Sequence, residues 1–331
     1  MNTEDVVRRL WLFYIVLLLL AACTPIAPPP PVASAPVAAV EAEIADYAHP
    51  EALTTTAWLS DHLNDVNLRL VDVRIANQAA YEDGHIPGAV HADLVQNLMS
   101  PQDAVVTRAP SAEAFSTTMQ RLGIDNDTTV VIYDPNGGYK GGARLWWLLR
   151  YYGHNDVRLL NGGLAKWQLE GRPLEQGNVT PAAGSFVAAE PRAEWRADAG
   201  QVSAAISDDG FLIIDALPMG MFTGEKKHSE PIRDGHIPSA RNLPAPALVD
   251  AESTALLPRA ALTEQWAALT PQAEQEAIVY CEGGVFSAFD FFVLHQLGHE
   301  NIQLYEASLT EWGVDPAYPM ETGPGREARV P

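Results

Sequence analysis

The amino-acid sequence predicts an α/β protein made of two tandem domains, each a parallel sheet with helices on both faces. Short apolar segments, such as Leu68 to Val73 and Val130 to Tyr133, alternate with segments of helical spacing. Strands that alternate with helices form parallel sheets whose two faces are both covered. The same alternation returns from Phe211 to Tyr305, which predicts a second sheet.

Repeated motifs indicate that a whole domain is duplicated. The segment G-H-I-P-G-A at 84–89 returns about 150 residues later as G-H-I-P-S-A at 235–240. Gly-His followed by Trp167 likewise returns as Gly-His followed by Trp312. The order is kept while the loops differ in length, which is typical of a duplicated domain and not of a short solenoid repeat.

The length of 331 residues also favours two domains, since one core rarely serves more than about 250 residues. Prolines and glycines interrupt the pattern between 171 and 196 and predict the boundary. We therefore expect a first domain at 49–178, a linker at 179–195, a second domain at 196–323 and a tail at 324–331.

The N-terminus predicts export and a lipid anchor. Two arginines precede an apolar run from Leu10 to Ala22, which is too short to span a bilayer and suits a signal peptide at 1–22. Its end, Leu-Ala-Ala-Cys at 20–23, resembles the lipobox of bacterial lipoproteins, which implies cleavage before Cys23 and lipidation of its thiol. Residues 23–48 then form a Pro/Ala-rich tether. An ordinary signal peptide and an uncleaved anchor remain alternatives.

Together these features predict a protein of the cell envelope, bound to a membrane on its extracytoplasmic side. The formal net charge of −21 argues against nucleic acid as a partner. Any anionic substrate must therefore be held by local groups. With two cysteines in the chain, one of them assigned to lipid, we expect neither a metal site nor another cofactor.

Cys281 is the candidate nucleophile. It stands at the end of a predicted strand, and the loop Glu282-Gly283-Gly284-Val285-Phe286 leads from it into a helix. Ligands bind at the carboxyl ends of parallel strands, and a glycine-bearing loop that enters a helix directs backbone N–H groups at an anion. Such donors favour the reactive thiolate over the thiol. A buried, inert cysteine is the alternative.

These motifs, in this order from about residue 53 to 323, resemble the rhodanese domain. The tandem arrangement is similar to that of thiosulfate and 3-mercaptopyruvate sulfurtransferases. The resemblance implies that Cys281 takes a sulfane sulfur from a small donor as a persulfide and passes it to a thiol or cyanide, with the 282–286 loop binding the substrate. Asp134 occupies the cysteine position of the first copy, which implies a non-catalytic domain that closes the cleft. A general base at Asp134 is the alternative.

The sequence also departs from the family pattern. Glu282 stands where the family loop often has Arg or a small residue, and we expect its side chain to point outward. Phe286 stands where that loop often has Thr or Arg. Leu217 and Met221 stand where the family often has arginines, and the arginine at the position of Met221 faces the substrate in that family. Arg233 matches another such arginine and is a candidate for binding the donor anion, with a solvated loop charge as the alternative.

Other polar residues have simpler interpretations. His85 and His236, in the two G-H-I-P segments, are expected to make structural hydrogen bonds, and His228 is expected to lie at the surface. Related cysteine phosphatases need an arginine six positions after the cysteine, where this chain has Ser287, so phosphate chemistry is disfavoured. A catalytically degenerate pair that acts as a sulfur-binding or scaffold lipoprotein remains the rival function.

Overall fold

The computed structural model describes residues 44–100, 103–272 and 275–325. The predicted signal peptide, Cys23, most of the predicted tether and most of the predicted tail lie outside the described residues. The described part contains two sheets, and every strand pair within them is parallel. The predicted fold class is therefore confirmed.

The first half contains a five-stranded sheet in the order β1-β5-β4-β2-β3. Its elements are β1 (Leu53–Thr54), α1 (Thr56–His62), β2 (Leu68–Arg74), α2 (Gln78–Asp83), β3 (Val90–Asp93), α3 (Leu94–Leu98), α4 (Ala112–Arg121), β4 (Thr129–Tyr133), α5 (Gly142–Tyr151), β5 (Val157–Leu160) and α6 (Gly163–Leu169). The helix α2 begins at Gln78 because the Asn77 side chain accepts a hydrogen bond from the Ala80 amide and caps it.

The second half contains a four-stranded sheet in the order β7-β6-β8-β9. Its elements are α7 (Ala199–Ala205), β6 (Phe211–Asp215), α8 (Met219–Phe222), β7 (Arg241–Asn242), α9 (Arg259–Ala268), β8 (Glu276–Tyr280), α10 (Phe286–Leu297), β9 (Ile302–Leu304) and α11 (Ser308–Trp312). This order repeats β3-β2-β4-β5 of the first half. A single parallel bridge between Arg196 and Leu304 stands where β1 lies in the first sheet.

The repeated motifs have the same structural role in both halves. The Nδ1 atoms of His85 and His236 lie 2.9 and 2.8 Å from the carbonyl oxygens of Tyr81 and Phe222. Each imidazole is buried and stacked on the ring of that same neighbour. The prediction that these histidines make structural hydrogen bonds is confirmed.

The core extends across both halves. Trp146 on α5 packs edge-on against Phe292 on α10, with ring centroids 4.9 Å apart. These two helices follow the equivalent strands β4 and β8, so their packing brings the equivalent loops of the two halves together. The helices thereby position the candidate site between the halves.

The connecting segments also pack against the domains. Within the predicted linker at 179–195, Phe186 is buried and its amide donates to the carbonyl of Ile124. Near the end of the predicted tether, the Tyr47 hydroxyl donates to the carbonyl of Leu257, 2.7 Å away. Among the described residues, no helix has both the length and the apolar character needed to cross a bilayer.

Candidate active site between the two halves

The candidate site lies where two equivalent loops face each other. One loop begins at Asp134 after β4, and the other begins at Cys281 after β8. Both therefore lie at the carboxyl ends of parallel strands, where open α/β sheets bind their ligands. The Tyr139 ring of the first loop contacts the Phe286 ring of the second edge-on, with centroids 5.6 Å apart. The two halves thus form the site together.

The first loop holds the carboxylate of Asp134 in a cradle of backbone amides. Oδ1 accepts hydrogen bonds from the amides of Asn136 at 2.7 Å and Gly138 at 2.9 Å. Oδ2 accepts from the amides of Lys140 at 2.9 Å and Gly142 at 3.1 Å. Burial raises the pKa of Asp134, and the four donors act against that shift. The loop is an anion-binding nest that is filled by its own side chain.

Cys281 occupies the equivalent position in the second half and is 2% exposed. Its amide donates to Ser308 Oγ at 3.1 Å, at the start of α11. The Ser287 hydroxyl, in the first turn of α10, donates to Cys281 Sγ at 3.4 Å. The residue is therefore held at the starts of two helices, with its amide bonded to α11 and its sulfur bonded to α10.

Two glycines allow the loop to pass close to its neighbours. Gly284 has φ +73°, and a Cβ atom there would lie 2.5 Å from the carbonyl oxygen of Glu306. A Cβ atom at Gly283 would lie 2.8 Å from Thr107 Cγ2, which belongs to the first half. The loop therefore requires glycine at 284, for its backbone conformation and for the space available. A segment of the first half covers it at Gly283.

Glu282 is engaged by a buried histidine. His228 is 6% exposed, and its Nδ1 lies 3.4 Å from Glu282 Oε2 while its Nε2 lies 2.9 Å from the Gly235 carbonyl oxygen. Burial acts to lower the pKa of His228, but the hydrogen bonds to Glu282 and Gly235 outweigh it and raise that pKa. The hydrogen bond to His228 lowers the pKa of Glu282. The expectation of a surface position for His228 was wrong, because the neighbouring lysines suggested a solvated charge run.

Val285 and Phe286 complete the loop. Both are partly buried, and Val285 occupies the N-cap position of α10 without a side-chain capping bond. The Phe286 ring adds an apolar surface to the loop, in contact with the Tyr139 ring. The five predicted loop residues thus connect Cys281 to α10, and their substrate contacts stay a prediction.

Arg233 is held apart from this loop by backbone carbonyls. Its Nε donates to the carbonyl of Gly313 at 2.9 Å, and its Nη2 atom lies 2.7 Å from the carbonyl oxygen of Asp315. The same Nη2 atom also reaches the carbonyl oxygens of Trp312 and Tyr318, at 3.0 and 2.9 Å. Within the described residues, no hydrogen bond joins Arg233 to the Cys281 loop. Anion binding by Arg233 stays a prediction.

The missing arginine at Leu217 has a measurable consequence in the second half. In the first half, Asp72 at the equivalent position forms a bidentate ion pair with Arg74. Arg74 Nε donates to Oδ1 at 2.9 Å and Nη2 donates to Oδ2 at 2.8 Å. In the second half, the Asp215 carboxylate accepts a hydrogen bond from the Leu217 amide instead. Burial raises the pKa of Asp215 to about 6. Asp290 on α10 is also buried, and burial followed by the charge of Asp215 raises its pKa well above the ordinary range.

The sequence interpretation missed Arg144, which enters the site from the first half. It is fully buried near the start of α5, and its Nη2 donates to the carbonyl of Thr107 at 2.8 Å. Its Nε and Nη1 atoms have no hydrogen-bond partner among the described residues. Burial lowers the pKa of Arg144 to about 10, while the charges of Glu306 and Cys281 oppose that shift. The available signal was an arginine within a continuous apolar helix.

Comparisons with known proteins agree with this geometry. The model of the rhodanese-like domain matches the chain twice, at residues 55–170 and 198–315. The chain is 34% identical over 287 residues to a sulfur carrier protein of Thermus thermophilus, covering 84% of this chain and 99% of that protein. It is 33% identical over 302 residues to a thiosulfate sulfurtransferase of Corynebacterium glutamicum, covering 86% of this chain and 95% of that protein.

A solved structure agrees as well. The crystal structure of a 3-mercaptopyruvate sulfotransferase from Escherichia coli, described by its rhodanese fold, superposes with a TM-score of 0.69 at 31% identity. The superposition covers 78% of this chain and 98% of that one. The similarity therefore extends over both halves and the connection between them.

Proposed function

The chain belongs to the rhodanese-like domain family and is a sulfurtransferase, and we propose that it moves a sulfane sulfur from thiosulfate or 3-mercaptopyruvate to a thiol or cyanide through a persulfide on Cys281. The observation that carries the proposal is the pair of equivalent loops. The first loop binds the Asp134 carboxylate with four amides. The second loop has the Cys281 thiol at the same position. In a persulfide, the outer sulfur would be the anion of this loop, as the Asp134 carboxylate is the anion of the first.

In the first step, the Cys281 thiolate attacks the outer sulfur of the donor. With thiosulfate, a new S–S bond forms on Cys281, the S–S bond of the donor breaks, and sulfite leaves with the electron pair. With 3-mercaptopyruvate, the C–S bond breaks and its carbon takes the electron pair and the thiol proton, which yields pyruvate. The backbone amides and the N-terminus of α10 stabilise the negative charge on the terminal sulfur.

In the second step, the acceptor attacks the terminal sulfur of the persulfide. A bond forms between the acceptor and that sulfur, the S–S bond on Cys281 breaks, and the electron pair returns to the cysteine as thiolate. One difficult transfer is thus divided into two, so we expect ping-pong kinetics. Neither step calls for a metal or an organic cofactor.

The decisive experiment is sulfur loading of Cys281. Purified protein is incubated separately with thiosulfate, 3-mercaptopyruvate and a polysulfide, and intact mass is measured before and after cyanide. We expect a gain of one sulfur atom that cyanide removes, and no gain for Cys281→Ser, because the serine hydroxyl is not ionised at neutral pH. Comparison of the first two donors identifies the better one. If no donor loads Cys281, the sulfurtransferase proposal fails and the scaffold function takes its place.

We also propose that Cys23 carries a lipid and that the protein is held at a membrane of the cell envelope, on its extracytoplasmic side. The support is the apolar run that ends in Leu-Ala-Ala-Cys and the Pro/Ala-rich segment after it. Wild type should fractionate with membranes and carry an acyl mass on Cys23, whereas Cys23→Ser should not. Equal membrane retention of both proteins, with no lipid on wild type, would contradict the anchor.

A further inference from the structure

Arg144, which belongs to the first half, lies next to Gly284 of the Cys281 loop. A Cβ atom on Gly284 would lie 2.9 Å from Nη1 of Arg144, so the guanidinium is in contact range of the loop that follows the thiol. That nitrogen and Nε have no hydrogen-bond partner within the described ranges. A buried cation with unused donors is costly unless an anion compensates it.

The neighbouring charges leave Arg144 without a carboxylate of its own. Buried Glu306 is the carboxylate whose charge acts most strongly on Arg144, and its Oε1 is already paired with Nη2 of Arg196 at 2.9 Å. On the loop itself, the Glu282 carboxylate is paired with His228. Two cations therefore share one carboxylate behind Cys281, and the local excess is one positive charge. A thiolate or persulfide on Cys281 would neutralise it.

We infer that Arg144, supplied by the half that lacks the nucleophile, is the positioning residue that holds Cys281 and its persulfide in the anionic form. It brings a cation of the first half to the loop that follows the thiol of the second half. The inference rests on the proposed function, because it assigns a counter-charge to that persulfide. It also gives the first half a chemical role beyond closing the cleft.

The test measures the ionisation of Cys281 directly. In full-length protein with Cys23→Ser, Cys281 is the remaining thiol of the two cysteines, and its alkylation by neutral iodoacetamide is followed over a pH series. Arg144→Gln should move the pH midpoint of alkylation upward by about one unit, which is about a tenfold loss of rate below the midpoint. Arg144→Lys should keep the midpoint close to that of the parent, because it keeps the charge.

A matched control is Arg150→Gln on the same helix, whose guanidinium lies 5.6 Å from the Trp146 ring. It should leave the midpoint unchanged. A folded Arg144→Gln protein with the parental midpoint would overturn the inference. If that variant does not fold, Glu306→Gln decides, because loss of the carboxylate should move the midpoint downward; an unchanged or raised midpoint would overturn it.

Failure of the proposed function has a different signature. If thiosulfate, 3-mercaptopyruvate and polysulfide all leave the parent protein without added sulfur, the persulfide proposal is wrong. A midpoint that still rises in Arg144→Gln would then support the control of the thiolate by Arg144 on its own. Where sulfur is loaded, cyanide takes the terminal sulfur as thiocyanate and the Cys281 thiolate leaves with the electron pair. Arg144→Gln should slow this removal at least several-fold relative to Arg144→Lys, because the leaving thiolate loses its counter-charge, and equal rates would contradict a role toward the persulfide.

Discussion

Replacing Asp134 by asparagine separates a structural role of the first loop from a catalytic one. Asparagine keeps the shape of the side chain, but its NH2 group would face two of the four amide donors and could not accept from them. Two charge-assisted hydrogen bonds are lost, those from Lys140 and Gly142. At about 1.5–3 kcal/mol each, the free energy of unfolding should fall by about 3–6 kcal/mol. Domains have about 5–15 kcal/mol in total, so the loss is large.

Urea denaturation followed by tryptophan fluorescence measures this loss. Asp127→Asn, at an exposed position, is the matched control and should change the free energy of unfolding by less than about 0.5 kcal/mol. Sulfur transfer by the Asp134→Asn protein, measured where it remains folded, should fall less than about tenfold. The physical reason is that Asp134 holds its own loop and does not touch the transferred sulfur.

Two results would refute this reasoning. A free energy of unfolding within about 1 kcal/mol of wild type would mean that the four amides do not need the carboxylate. A folded Asp134→Asn protein with turnover as low as that of Cys281→Ser would make Asp134 part of the chemistry. The first half would then take part in the transfer itself.

Two further predictions concern the second half. Gly284→Ala should lower the free energy of unfolding by about 2–5 kcal/mol and abolish sulfur loading. The control Gly88→Ala, at φ +78° with open space around it, should lower that free energy by only about 1–2 kcal/mol. Equal losses in denaturant would contradict the close approach of Gly284 to Glu306. Because the pKa of Asp215 is raised to about 6, the folded state holds its proton more tightly than the unfolded chain. Its contribution to stability is full below about pH 4 and is lost as pH rises to about 6. Relative to wild type, Asp215→Asn should therefore gain about 2–3 kcal/mol over that interval in pH-dependent denaturation, and a constant difference would contradict it.

Many features of the fold follow from local sequence. The predicted apolar segments Leu68 to Val73 and Val130 to Tyr133 form strands within one residue of their predicted bounds, because short apolar runs have few other ways to be buried. The repeated G-H-I-P segments identify the duplication, and their histidines have the predicted structural role. The position of Cys281 at the end of β8 follows from the same periodicity.

The sequence by itself thus determined the two sheets, the equivalence of Asp134 and Cys281, and the glycine loop that enters α10. Only the tertiary structure decided which charges surround that loop. Arg144 is far from Cys281 in the chain and reaches its loop because α5 packs against α10, while Glu282 pairs with His228 across another long separation. Local periodicity specifies which face of an element is buried. The partner of a buried charge depends on which elements meet, and that is a property of the packed chain.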